Sequence, residues 1–282
     1  MTDEKLRMAC VIGDPVAQSR SPLIHGYWLR KHGIAGDYRR ELVKGADLKA
    51  FLADMPRRGY VGCNVTMPHK LAVMALSQPD ARAKAIGAAN AMWFDKAGVL
   101  RSTNTDVLGI LGNLDAATPG WDKGLADAVV FGAGGAGRAA VYGLVERKIP
   151  RIRLVNRTLT KAEEFRQRFG PSVLPAAWED RQRALAGAGL VLNATSCGMA
   201  GNPELDIDLA PVRDDCVVND IVYVPLVTGL LAKAERRGLR IADGLGMLLH
   251  QAVYGFELWY GIRPAVTPEL RQIIVDELLK KK

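Results

Sequence analysis

The sequence predicts an α/β protein made of two α/β parts, and three observations carry that prediction. Short apolar runs alternate with helical stretches through the first hundred residues. A second alternation begins near residue 128, with a glycine-rich turn between its first strand and first helix. From about Leu245 the chain becomes helical and amphipathic, a segment expected to pack back on the first part. Strand and helix in alternation favour a parallel or mixed sheet with helices on its faces.

The elements follow in order. Met8 to Gly13 reads as a buried strand ending in a turn. Ser21-Pro22 reads as a helix start, with Ser21 as N-cap and Pro22 at the first helical position. Tyr38 to Val43 suits a second strand, Asp47 to Met55 a helix, and Gly59 to Val65 a third strand. Residues 113–127 read as a linker, punctuated by Thr118-Pro119-Gly120. Ala128 to Phe131 is the next buried strand, followed by a glycine loop and a helix from about Arg138 to Lys148. Arg151 to Val155, Leu190 to Asn193 and Cys216 to Asp220 read as further strands, and Thr160 to Phe169 as a helix.

Bulk composition narrows the function classes. The 282 residues allow one or two domains, and 49% apolar residues is ordinary for a chain that buries a core. A net charge of +8 suits either nucleic acid or small anions. The basic residues are scattered, apart from Lys280-Lys281-Lys282, and the 6% of aromatics do not interleave with them. A nucleic-acid footprint clusters on a stripe or face, so this class is disfavoured. Cys10, Cys63, Cys197 and Cys216 form no CxxC or CxxH pair, which argues against a zinc site and for small core residues in a reducing compartment. The polar start Thr2-Asp3-Glu4-Lys5 lacks an apolar signal region, and no apolar run nears the ~20 residues that span a bilayer. A cytoplasmic protein is expected, with no membrane partner.

Gly132-Ala133-Gly134-Gly135-Ala136-Gly137 fits G-x-G-x-x-G between a strand and a helix. Alone the pattern is weak; that context makes it a dinucleotide loop, with backbone close to pyrophosphate at a helix N-terminus. A Rossmann-type domain follows. The end of the next strand selects the nucleotide. An NAD site wants a carboxylate there for the ribose 2′-hydroxyl. This chain has Asn156-Arg157-Thr158, with Lys161 a turn later. Arg157 cannot accept that bond, but its planar donors can pair with a 2′-phosphate, and Lys161 adds a second cation. NADP is therefore the expected cofactor.

Lys70 follows the turn Asn64-Val65-Thr66-Met67-Pro68-His69, and Asp106 ends Thr103-Asn104-Thr105. A lone lysine and a lone aspartate are ordinarily solvated charges. Here Ser19, Ser21, Asn64, Thr66, Asn90, Asn104 and Thr105 crowd near them at strand ends and turns. Such side chains either cap turns or orient a polyhydroxylated ligand. With a dinucleotide loop in the same chain, Lys70 and Asp106 become candidates for handling the proton of a hydride transfer, since reduction of a carbonyl leaves an alkoxide that needs a cation or donor.

The ordered motifs resemble the shikimate dehydrogenase family over nearly the full length. They run from Ile12-Gly13-Asp14-Pro15, Ser19-Arg20-Ser21-Pro22 and His25 to Asn64-Val65-Thr66 with Pro68 and Lys70. Gly87-Ala88-Ala89-Asn90, Asn104-Thr105-Asp106, the glycine loop and Asn156-Arg157-Thr158 come next. Asn193-Ala194-Thr195-Ser196, Gly198-Met199, Val222-Tyr223 with Pro225, and Asp243-Gly244-Leu245-Gly246-Met247-Leu248 with Gln251 complete the series. The resemblance implies reversible NADPH reduction of 3-dehydroshikimate to shikimate, by a monomer or homodimer. It implies a substrate domain over 1–105 completed by helices in 245–282, a cofactor domain over 106–244, and a site in the cleft between them. Ser19 and Ser21 would hold the ring carboxylate, with Thr66 and Tyr223 nearby. Lys70, Asn90, Asp106 and Gln251 would meet the ring hydroxyls, and Ile221 and Gly244 the nicotinamide.

Three positions depart from the family pattern: Gln18 stands for a histidine, Ala91 for a threonine and Val107 for a glycine. Val107 fills space and stiffens backbone beside Asp106. These changes keep open a relative acting on quinate or another ring hydroxy-acid, and a non-catalytic binder on the same fold. The latter need not keep both Lys70 and Asp106.

Overall fold

The computed structural model describes residues 6–280. Thr2 to Lys5 and the last two lysines of the basic tail lie outside the described residues. The chain divides into two compact units, Met1–Thr105 with Gln251–Lys282, and Asp106–His250.

The first unit holds β1 (Arg7–Gly13), α1 (Ser21–Lys31), β2 (Gly36–Leu42), α2 (Leu48–Asp54), β3 (Tyr60–Val65), β4 (Gln78–Pro79), α3 (Ala81–Ile86), β5 (Ala91–Phe94) and β6 (Leu100–Thr103). Its sheet runs β2-β1-β3-β5-β6-β4, with β5 antiparallel to both neighbours. Cys10, Ile12, Leu52, Met55, Cys63, Val65 and Met92 form one core cluster. A second, aromatic cluster gathers His25, Trp28, Tyr38, Phe256 and Trp259. The C-terminal segment is tied into this unit: the Trp259 indole donates to the Met92 carbonyl at 2.8 Å, and the Trp28 indole to Ala265 at 3.1 Å.

The second unit holds α4 (Asp106–Ala117), β7 (Asp127–Phe131), α5 (Gly135–Glu146), β8 (Arg151–Asn156), α6 (Leu159–Phe169), β9 (Val173–Ala177), β10 (Leu190–Asn193), β11 (Val217–Asp220), α7 (Gly229–Arg236) and β12 (Arg240–Ala242). α8 (Gly244–Tyr260) starts in this unit and ends in the first, where α9 (Pro268–Leu279) follows. The sheet order is β12-β11-β10-β7-β8-β9, and every pairing is parallel. The chain steps outward from β7 to β9 on one side, then returns to β10 on the other. The carboxyl ends of β7 and β10 therefore flank a topological switch point, where open α/β sheets bind ligands. β7 is buried along its whole length, as a parallel strand covered on both faces must be. Its first residue, Asp127, pairs with Arg151 and Arg153, and those guanidiniums, Arg151 foremost, hold its carboxyl below the usual range.

Three local expectations are corrected. The segment read as a linker from residue 113 is helical to Ala117, because Val107, Ile110, Leu111 and Leu114 recur at helical spacing and are all buried. Ser21 is not the N-cap of α1. Leu23 and Ile24 both donate to the Arg20 carbonyl, so the first turn closes on Arg20 and Ser21 lies inside the helix. α5 also begins earlier than expected, at Gly135, which places three loop residues in its first turn.

Candidate active site

In the first unit the sequence-predicted polar residues converge on loops at the ends of β1, β3 and β6. Thr66 donates its amide to the Ile12 carbonyl at 2.9 Å, and Asp14 to Met67 at 3.0 Å, which stitches the β1 and β3 loops together. The Lys70 carbonyl accepts from Ala89 at 2.9 Å, so the lysine turn is tied to the segment carrying Asn90. His69 is buried beneath it, with its ring nitrogen 2.7 Å from the Val43 carbonyl. The peptide bonds before Pro15 and Pro68 are cis, as is that before Pro225.

Asn90 is the hub of a buried network. Its side-chain oxygen accepts from the Thr105 amide at 2.6 Å, and its amide group donates to the Thr105 hydroxyl at 3.1 Å. That hydroxyl lies 3.3 Å from the Gln251 side-chain oxygen. Tyr38 donates to Asn64 at 2.6 Å, and Asn64 in turn to the Asn90 carbonyl at 3.2 Å. Asn90, Thr105 and Gln251, distant in sequence, are thus held in one chain of contacts. Ser19 and Ser21 meet at 3.2 Å between their hydroxyls, and Arg40 clamps the Ser19 carbonyl with two donors at 2.9 and 2.6 Å. The Arg40 clamp was invisible in the sequence, since its partner is a backbone oxygen 21 residues away. His25, by contrast, is fully buried, stacked on Tyr38 at 4.1 Å, and burial lowers its pKa to about 3. It supports the aromatic core.

Asp106 opens the second unit as the first residue of α4, where its carboxylate meets the positive end of the helix dipole. Val107, next to it, is fully buried, and its methyl stands 3.3 Å from where a Cβ on Gly143 would lie. The side chain that replaces the family glycine therefore packs into space left by a glycine of α5. Ala91 is fully buried in β5, in register with Asn64 and Thr103. Gln18 is exposed.

The glycine loop sits at the carboxyl end of β7. Gly132 has φ +102°, and a Cβ on Gly137 would collide with the Gly132 carbonyl, so strand and helix meet with no side chain between them. Gly134 and Gly135 face open space, and no side chain caps α5. Its first amides are left for a ligand. Asn156 steadies the loop, accepting from Ala133 at 3.1 Å and donating to the Thr158 carbonyl at 2.8 Å. Arg157, Thr158 and Lys161 are exposed where β8 gives way to α6. The residues present thus fit a dinucleotide with a 2′-phosphate: an uncapped helix start for pyrophosphate, and two accessible cations at the end of the second strand. A Cβ on Gly244 would meet the Ile221 carbonyl, so these two residues touch backbone to backbone. Tyr223 follows Ile221 closely, half-buried.

Among the described residues, no helix is long and apolar enough to cross a membrane. The family model of the shikimate dehydrogenase substrate binding domain matches residues 11–92. Those of shikimate / quinate 5-dehydrogenase and of the shikimate 5'-dehydrogenase C-terminal domain match residues 122–200 and 244–268. The shikimate dehydrogenase (NADP(+)) of Nitrobacter hamburgensis is 57% identical over 279 residues, covering 99% of this chain and 97% of its own. That of Rhodopseudomonas palustris is 56% identical over 275 residues, covering 98% of each. Among solved structures, quinate dehydrogenase from Corynebacterium glutamicum in complex with NAD superposes with a TM-score of 0.88 at 30% identity, over 96% of this chain and 99% of that one. Shikimate 5-dehydrogenase from Thermus thermophilus in complex with NADP(H) and shikimate gives 0.82 at 31%, over 97% and 99%. With identity above one half along almost its whole length, and three family models falling on it in order, this chain belongs to the shikimate dehydrogenase family.

Proposed function

We propose that this protein catalyses the reversible, NADP-dependent reduction of 3-dehydroshikimate to shikimate. The observation that carries the reading is the match of 57% identity, end to end, to an NADP-dependent shikimate dehydrogenase. The polar network around Asn90 and the exposed Arg157 support it. In this reading the residues of 1–105 with the C-terminal helices bind substrate, and 106–244 bind the coenzyme.

The chemistry a bound nicotinamide supplies is hydride exchange with the ring carbon. The rest falls to the protein. Lys70 provides the charge and proton for the C3 oxygen as it becomes an alkoxide, and Asp106 orients the neighbouring hydroxyl and the ammonium. Ser19 and Ser21, with Thr66 and Tyr223, hold the ring carboxylate; Asn90 and Gln251, fixed through Thr105, present amides to the ring hydroxyls. Gly132, Ala133, Gly134, Gly135, Ala136 and Gly137 cradle pyrophosphate, and Asn156, Arg157, Thr158 and Lys161 take the adenosine end. Ile221 and Gly244 line the nicotinamide. The free, buried thiols of Cys10, Cys63 and Cys216 go with a reducing compartment, so we place the protein in the cytoplasm. A homodimer belongs to the same reading, and sedimentation velocity tests it.

The deciding assay follows absorbance at 340 nm with NADP+ and shikimate, then with quinate. Turnover with shikimate at a kcat/KM well above that with quinate is expected. Quinate as the better substrate would overturn the substrate, and no NADPH formed from either acid would overturn the reaction.

A further inference from the structure

Asp220 is a fully buried carboxylate that the proton chemistry does not use, and the Asn193-Ala194-Thr195-Ser196 motif belongs neither to the substrate residues nor to the proton pair named for the reaction. The two lie together. Asn193 and Asp220 end the adjacent strands β10 and β11 in register with each other. Asp220 Oδ1 accepts from Asn193 Nδ2 and from the Val222 amide, each at 3.0 Å, and Oδ2 accepts from the Thr228 hydroxyl at 2.7 Å. Glu204 repels Asp220. Burial and Glu204 push its pKa up to about 6, against the pull of its three donors. A carboxylate kept in so costly a place is held by what it organises.

Val222 stands at one end of a loop and Thr228 at the other, so a single carboxylate ties down both ends of 221–228. Further contacts frame the same loop. Ile221 donates to the Asn193 carbonyl at 3.1 Å, and Ala200 to the Val224 carbonyl at 2.9 Å. Thr228 also caps α7, accepting from Leu231 at 3.3 Å. On the far side, Asn193 Oδ1 accepts from both the amide and the hydroxyl of Thr195, at 3.0 and 2.7 Å. The Thr195 methyl lies 2.9 Å from where a Cβ on Gly132 would be. One cluster, buried at Asn193, Asp220 and Thr228 and half-buried at Thr195, thus joins the glycine loop to the segment carrying Ile221 and Tyr223.

We propose that Asp220, acting with Asn193 and Thr228, is a positioning residue that sets the loop 221–228 and with it the placement of Tyr223 against substrate. The proposal rests on the role given to Tyr223 above, and its test separates the two. In the full-length protein, hydrogen exchange of the 221–228 peptide is measured without coenzyme for Asp220→Ala, Thr228→Val and Thr228→Ser. Steady-state kinetics with NADP+ and shikimate are run on the same variants and on Tyr223→Phe. Loss of a charge-assisted hydrogen bond predicts about tenfold faster loop exchange and about a tenfold higher KM for shikimate in Asp220→Ala and Thr228→Val. Peptides from β7 and β8 keep wild-type exchange, and Thr228→Ser restores both loop and KM. Should Asp220→Ala unfold, Thr228→Val, which removes one donor, decides. Wild-type exchange of the loop in these variants overturns the proposal. A normal KM in Tyr223→Phe with a loosened loop overturns only the role of Tyr223.

Discussion

Lys70 gains its meaning from neighbours that the sequence scatters. Its backbone is tied to Ala89, one residue before the hub Asn90, and that tie fixes where the ammonium stem begins. Replacing Lys70 by alanine removes the proposed proton donor but leaves the glycine loop untouched. The kcat of Lys70→Ala should fall by about 10²–10⁴ while NADPH still binds, as read by turnover and by coenzyme fluorescence titration. Near-normal turnover would remove Lys70 from the mechanism. Arg157 is the second residue whose chemistry decides an outcome. Arg157→Ala should lower the NADP-over-NAD ratio of kcat/KM by about 10- to 100-fold, the worth of charge-assisted bonds to a 2′-phosphate. An unchanged ratio would transfer the selectivity elsewhere. Val107, the departure nearest Asp106, was legible as a substitution but not as a consequence. Only the packing against Gly143 reveals that its added bulk fills a gap between helices.

At the scale of elements, the strand-turn-helix setting of the glycine loop was read correctly because its requirements are local: a strand, a turn with one left-handed glycine, and a helix. The start of α5, expected at about Arg138, was placed too late for a related reason. A helix that opens on Gly135 after Gly134 carries no Ser or Thr cap, so the usual start signal is missing. The close contact of Gly137 with the Gly132 carbonyl makes a sharp forecast. Gly137→Ala should separate the helix start from the strand and weaken NADP+ binding at least about tenfold, with about 1–3 kcal/mol of overpacking cost to stability. Isothermal titration and thermal melting measure the two effects, and wild-type affinity would contradict the assignment of this turn.

At the scale of the whole molecule, the two units carry titrating groups of opposite sign. In the first, His25 has a folded pKa of about 3, set by burial, below the ordinary imidazole value. The unfolded chain binds that proton first, so stability falls as pH drops below about 6.5, by up to about 1.4 kcal/mol per unit. In the second, Asp220 is raised to about 6, so the folded form binds its proton first and stability rises as pH falls from about 6 toward 4. His250, lowered by burial, works against Asp220 in the same unit. Acid should therefore loosen the first unit before the second. Hydrogen exchange at pH 5 and 7.5, corrected for intrinsic rates, should show β1 and β3 losing protection ahead of β7 and β8. The reverse order would be inconsistent with a buried neutral His25.

The sequence by itself determined the α/β class, the dinucleotide turn, the coenzyme preference expected of Arg157, and the ordered polar motifs. Each depends on residues within one strand, turn or helix start, where periodicity and side-chain chemistry act at short range. The tertiary structure alone decided that Asn90, Thr105 and Gln251 form one network, that Arg40 clamps Ser19, that His25 is core, and that Asp220 holds both ends of the loop 221–228. These contacts join residues from 2 to 146 positions apart, several through backbone amides or carbonyls that side-chain identity does not mark. Nothing in a side chain's identity marks which distant carbonyl or carboxylate it will meet until the sheets are assembled.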